Sequence, residues 1–195
     1  MMIVELFLPT DFTRGRQLAD RMLMELLAEE SAPEAVRAAA RELVHVIAHR
    51  PDVWVTGGSD KPRYLVRVTV PGSWNTNQFG TYLIPKITDI VADFEEDPER
   101  LRREPHCVVQ IVGLREHSVG TLGRVTTSAD ITRLMTAGHQ VDTSEAPEGM
   151  AIDPVCGMAV DLATATITLT HEGTTYAFCA PVCRKVFAED HAIPV

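Results

Sequence analysis

The sequence predicts an α+β protein: a four-stranded sheet of two consecutive strand–helix–strand halves with helices on one face, then a much smaller metal-stapled domain. Three observations carry this reading. Between residues 2 and about 135, short β-branched runs alternate with apolar stripes at helical spacing, and the pattern plays twice. Over residues 137–152 (AGHQVDTSEAPEGMAI) periodicity stops and Gly, Pro, Ser and Glu take over, as in a linker. Three of the four cysteines fall in the last 40 residues. The resulting division is 1–136, a linker at 137–152, and 153–195.

In the first half, residues 3–9 (IVELFLP) form a strand, closed by Pro9. A helix over about 13–30 follows, with Leu18, Met22, Leu23, Leu26 and Leu27 on one face. Ser31 or Ala32 caps a second helix with Pro33 in its first turn; its stripe of Val36, Ala40, Leu43, Val44 and Ile47 runs to about His49. Residues 52–56 (DVWVT) read as a short strand before Gly57-Gly58. The second half repeats the order: a strand over 63–70 (RYLVRVTV), a Pro71-Gly72-Ser73 turn, a helix over about 76–94 carrying Phe79, Leu83, Ile87, Ile90, Val91 and Phe94, and a strand over 107–113 (CVVQIVG). Right-handed crossovers place the helices of such a tandem on one face of a single sheet.

Composition excludes several function classes. Hydrophobic residues make up 45% of the 195-residue chain and charged ones 23%, enough to bury a sizeable core. The net charge of −9, with Lys and Arg interleaved with acids as in ERLRRE (99–104), argues against nucleic-acid binding. The N-terminal run is interrupted by Glu5 and lacks a basic region, and no stretch approaches the roughly 18 apolar residues of a membrane span. The expectation is a cytoplasmic protein without nucleic-acid or membrane partners. Thiols stay reduced there, and clustered cysteines more often bind metal or do redox chemistry.

Cys156 is followed after 22 residues by Cys179 and after three more by Cys183. Pro181 suits the first turn of a helix, so Cys179 sits at or before its cap and Cys183 one turn on, where both sulfurs can meet one ion. The helix dipole there predicts depressed thiol pKa values for both. Cys156, in the turn-forming DPVCGM (153–158), reaches the same point once the hairpin folds back. A segment of about 43 residues is too small to bury much core, and a metal compensates for that.

DPVCGM (153–158), HEGTTYAFC (171–179) and CRKVF (183–187) together resemble a YHS domain, the small treble-clef-like module related to TRASH metal-binding domains. The likeness spans nearly all of 150–195. It implies a role among copper- and mercury-handling proteins, with Cys156, Cys179 and Cys183 as ligands. A fourth ligand is left open among His171 at the hairpin tip, His191, Met158 and Asp153. Three thiolates suit Cu(I), or zinc completed by His or water.

The tandem halves resemble the tautomerase superfamily, that of 4-oxalocrotonate tautomerase and macrophage migration inhibitory factor; a ferredoxin-like sandwich has the same element order. The family's chemistry uses an amino-terminal proline, whereas this chain begins Met1-Met2-Ile3 and Pro62 lies within a peptide bond. The resemblance therefore implies a scaffold for oligomerisation, with a trimer expected, more than an enzyme. Glu42, His45 and His49, at i, i+3 and i+7 of the second helix, form a further candidate metal face. The function expected is sensing, buffering or delivery of a thiophilic ion (copper or zinc), alongside a metal-handling partner. The alternative is an enzyme acting on a small carbonyl or enol acid, with the metal module regulatory or structural.

Overall fold

The computed structural model describes residues 1–27, 32–58, 61–143 and 146–194. The chain separates into two compact units: Met1–Leu27 with Val44–Arg115, and the described residues within Ala28–Leu43 with those within Glu116–Val195.

The first unit is the sheet. In chain order it holds β1 (Met2–Phe7), α1 (Gly15–Leu26), then, after α2 (Glu34–Arg41) of the other unit, β2 (Val44–His49), β3 (Tyr64–Pro71), α3 (Asn77–Ala92), α4 (Arg100–Arg103) and β4 (Cys107–Leu114). The strand order is β2-β1-β3-β4. β1 runs parallel to β2 and antiparallel to β3, and β3 runs parallel to β4. Each half is thus a parallel crossover, and the halves join along their first strands, as the repeated pattern predicts. Alternation in β1 and β3 puts Val4, Leu6, Val66, Val68 and Val70 under α1 and α3, where Leu18, Met22, Leu83, Ile87 and Ile90 close the core. A fully buried aliphatic side chain of this kind contributes about 1.5–3 kcal/mol. The opposite sheet face carries Phe7 stacked on His49 at 4.7 Å and Glu5 between His49 (3.2 Å) and Arg67 (3.7 Å).

The stretch after α2 differs from the sequence-based expectation. The second helix stops at Arg41, and Val44–His49 is the strand, while no strand forms over 52–56. Val44, Val46 and Ile47 fit a helical stripe and a strand equally well. Pairing with β1 from Met2↔Val44 to Phe7↔His49 decides in favour of the strand. Glu42, His45 and His49 consequently share no helix face. α1 is also shorter than expected, ending at Leu26; the expected residues 28–30 of that helix and the cap Ser31 lie outside the described residues.

The second unit contains α2, the hairpin β5 (Gly120–Thr121) and β6 (Arg124–Val125), and α5 (Ser128–Thr136). It continues with the hairpins β7 (Met150–Ile152)–β8 (Ala159–Asp161) and β9 (Thr168–His171)–β10 (Thr174–Ala177), and ends in α6 (Pro181–Asp190). α5 packs against both α2 and α6. Arg133 of α5 ties α6 through Glu189 (2.8 Å) and Asp190 (2.7 Å). α5 starts at a capping box, Thr127 with Asp130, a signal present in the sequence as TSAD (127–130).

Candidate metal centre

Two turns and a helix end bring the functional side chains together. The β7–β8 hairpin turns through DPVCG, closed by Asp153 N–H donating to Met158 O (2.9 Å) and Gly157 N–H donating to Asp153 O (2.9 Å). Gly157 takes φ +74°, and a Cβ there would stand 2.8 Å from both His139 Nε2 and Pro33 Cγ. Glycine is therefore required twice over, by conformation and by space. The β9–β10 hairpin delivers Cys179 two residues past its second strand, and α6 starts at Pro181 with Cys183 in its first turn.

The three sulfurs meet at this point. Cys156 Sγ lies 3.5 Å from Cys179 Sγ, and Cys179 Sγ lies 3.7 Å from Cys183 Sγ. With one carboxylate oxygen of Asp153, all four donor atoms fall within 4.8 Å of one another. Four ligands around a tetrahedral ion with metal–sulfur bonds of about 2.3 Å have sulfur–sulfur edges of about 3.8 Å. The observed separations match that edge and far exceed the about 2.05 Å of a disulfide. Cys156, Cys183 and Asp153 are buried, and Cys179 is partly exposed. Phe178 and Phe187 complete the apolar surround, with Met158 and Tyr176 packed against it.

Electrostatics in the cluster are set by the sulfurs themselves. The Cys156 thiol is held well below its ordinary pKa, first by hydrogen bonds from the Cys179 and Cys183 thiols, against the opposing effect of burial. Cys179 and Cys183 are raised, first because each donates to Cys156 and further by burial. Without a cation, one of three sulfurs this close carries the charge and the other two keep their protons. This corrects the expectation that the α6 dipole depresses both Cys179 and Cys183: contact with a neighbouring thiolate outweighs a helix end. Asp153 is raised, by burial and then by the Cys156 charge, with N–H donors from Cys179 and Val155 opposing.

His171 is placed differently. Its ring stands edge-on to Phe187 (6.3 Å between centroids) and 5.5 Å from His191, which itself stacks on Phe187 at 4.0 Å. Neither histidine belongs to the group whose donor atoms converge among the described residues. Met158 contributes packing and the backbone carbonyl that closes the turn. Cys107, at the start of β4, is pushed up to about 11 by burial.

No known protein family's sequence profile matches the chain, and no curated protein matches it. Solved structures do. A protein named Pt0534, inactivated by 2-oxo-3-pentynoate, is 16% identical with a TM-score of 0.51, covering 65% of this chain and 98% of that one. A macrophage migration inhibitory factor from Oncomelania hupensis is 10% identical at a TM-score of 0.48, covering 63% and 95%. The α+β arrangement with its four-stranded mixed sheet is the fold this chain shares with Pt0534. At this identity the likeness speaks to fold alone.

Proposed function

We propose that this chain is a metal-binding protein in which Cys156, Cys179 and Cys183 hold one thiophilic ion, Cu(I) or Zn(II), for sensing, buffering or delivery. The observation that carries the reading is the convergence of three sulfurs at 3.5 and 3.7 Å from segments 23 and 4 residues apart. The order of elements around them, a tight turn, a hairpin and a helix start, supports a treble-clef-like module of the YHS kind over 150–195. Soft thiolates favour Cu(I) and Zn(II) over Mg²⁺ or Ca²⁺. Cys179, the least buried of the three cysteines, marks the side from which an ion enters or leaves by ligand exchange. Free thiols of this kind suit a reducing compartment such as the cytoplasm; among the described residues no helix is long and apolar enough to cross a membrane.

In this reading the sheet unit assembles copies. β2 and β4 are edge strands, and β4 is eight residues long without a charge, with Val108 48% and Val112 38% exposed. Such edges invite pairing, and three copies closing a ring would cover them.

A second reading, a tautomerase-type enzyme on a small carbonyl or enol acid, draws on the fold and on a cavity of about 590 Å³ lined by Phe12, Arg14, Tyr64, Phe94, Glu95 and Arg100. Two measurements on the purified full chain separate them. Elemental analysis is expected to find one thiophilic ion per chain, and ketonisation of a simple enol acid is expected at background rate. Absence of bound metal after anaerobic loading with Zn(II) and Cu(I), with enol-acid turnover, would reverse the order.

A further inference from the structure

The carboxylate of Asp153 is fully buried and bonded on both sides to main chain. Its Oδ1 accepts the N–H of Val155 at 2.9 Å and of Cys156 at 3.4 Å, and its Oδ2 accepts the N–H of Cys179 at 2.8 Å. Two of these donors belong to ligand-bearing residues, and one of them lies 26 residues along the chain. Together with the sulfur contact, the Oδ2 bond joins the DPVCGM turn to the end of the β9–β10 hairpin. Both oxygens face N–H groups, so both must be acceptors. A carboxylate offers an acceptor on each side; an Asn amide would turn its NH₂ toward one donor or the other.

We infer that Asp153 anchors the two sulfur-bearing loops through the backbone and does not donate to the ion, so that the protein's own donor set is the three sulfurs alone. This rests on the metal reading above. Oδ1 already accepts two N–H groups, and drawing Oδ2 onto the ion would pull it out of line with the Cys179 N–H, whereas leaving it in place keeps Cys156 and Cys179 at the separation a shared ion needs. Asp153 is then a positioning residue, and the ion's remaining position belongs to solvent or an incoming ligand. Such a set selects for soft ions, because a hard ion receives no oxygen from the protein.

The test loads the full wild-type chain and Asp153→Asn with ¹¹³Cd²⁺, reads the cadmium resonance, and measures affinity by chelator competition. The expected result is a resonance of a three-sulfur site, unmoved in the variant, with affinity about 10–100-fold weaker. A wild-type resonance that shifts on substitution, as it does when an oxygen donor is lost, would overturn the inference, and so would unchanged affinity. A variant that fails to fold leaves a measurement on the wild type: the Val155 and Cys179 amide protons stay protected from exchange when Cd²⁺ is added, whereas deprotection on loading means that the carboxylate has left them for the ion. If the wild type takes up no Cd²⁺, Zn²⁺ or Cu⁺ at all, the metal reading itself falls, an outcome distinct from a bound ion with an oxygen donor.

Discussion

The two units solve the problem of burial with different materials. The sheet unit has six- and eight-residue strands beneath helices of 12 and 16 residues, and its interior is aliphatic: Val4, Leu6, Leu18, Val66, Val68 and Ile87 are all fully buried. Around the cysteines the strands are three or four residues long, and the buried cluster is Cys156, Phe178, Cys183 and Phe187. Hairpins this short are marginal alone. Two of those four buried residues are cysteines, so the local packing depends on what the sulfurs do. The lesson is that the first unit closes on aliphatic packing, whereas in the 150–195 segment cysteines take a share of that place.

The largest expected effect breaks that contrast at its weaker side. Cys179→Ser or Cys183→Ser should abolish stoichiometric metal binding and loosen residues 150–195 while the sheet unit keeps its protection. Structural zinc contributes about 10–16 kcal/mol to small domains. Hydrogen exchange with elemental analysis reads both; unchanged metal content in both variants would end the metal-site reading.

The sheet unit has its own vulnerable spot. Arg100, buried beside Glu95 (2.7 Å), also binds His106 Nδ1 (2.8 Å) and the Pro62 carbonyl (2.9 Å), and Tyr64 donates to the same carboxylate. Arg100→Met leaves Glu95 uncompensated and should cost about 3–5 kcal/mol, read by denaturant unfolding of the sheet unit. Burial pushes the Glu95 carboxyl up, but hydrogen bonds from Arg100 and Tyr64 outweigh it, so its pKa lies below the usual range. A depressed folded-state pKa stabilises above the unfolded value and fades as pH falls through the folded one. The wild type should therefore lose part of its stability below about pH 4, and Arg100→Met should lose less over that window.

A smaller effect returns to the cysteine turn. Gly157→Ala meets both positive φ and the 2.8 Å approach of His139 and Pro33, whereas Gly149, at φ +77°, has nothing within 4 Å of its virtual Cβ. Gly157→Ala should cost about 1–3 kcal/mol and weaken metal binding, and Gly149→Ala should cost less because it carries strain alone. Equal thermal shifts would show that the packing around Cys156 is loose.

Much of this contrast is written in local sequence, and the remainder is not. β3, α3 and β4 are readable because residues 64–70 and 107–112 are rich in β-branched types and α3 keeps one stripe. β2 is hidden because Val44, Val46 and Ile47 fit both periods, and only β1 selects between them. α5 has a readable start at Thr127-Asp130 that the apolar pattern alone does not reveal. The meeting of Cys179 and Cys183 follows from spacing, but the role of Asp153 depends on a contact 26 residues away. The thiol pKa directions fail for the same reason, since a helix end is local and a third sulfur is not.

That last difference gives the smallest and most discriminating prediction. If the α6 dipole governed the thiols, Cys179 and Cys183 would already be ionised near neutral pH, and an arriving ion would displace few protons. In the structure both are raised by donating to Cys156, so near neutral pH the cluster holds one thiolate and two thiols. A divalent ion bound by three thiolates should then expel about two protons, and apparent affinity should fall about a hundredfold per pH unit of acidification. Calorimetry in buffers of different ionisation enthalpy counts these protons directly. Cys107, its thiol pushed up to about 11 inside the sheet, should contribute none to that count. A count near zero would return the site to helix-dipole control and mean that the sulfurs stand farther apart in solution than 3.5 and 3.7 Å.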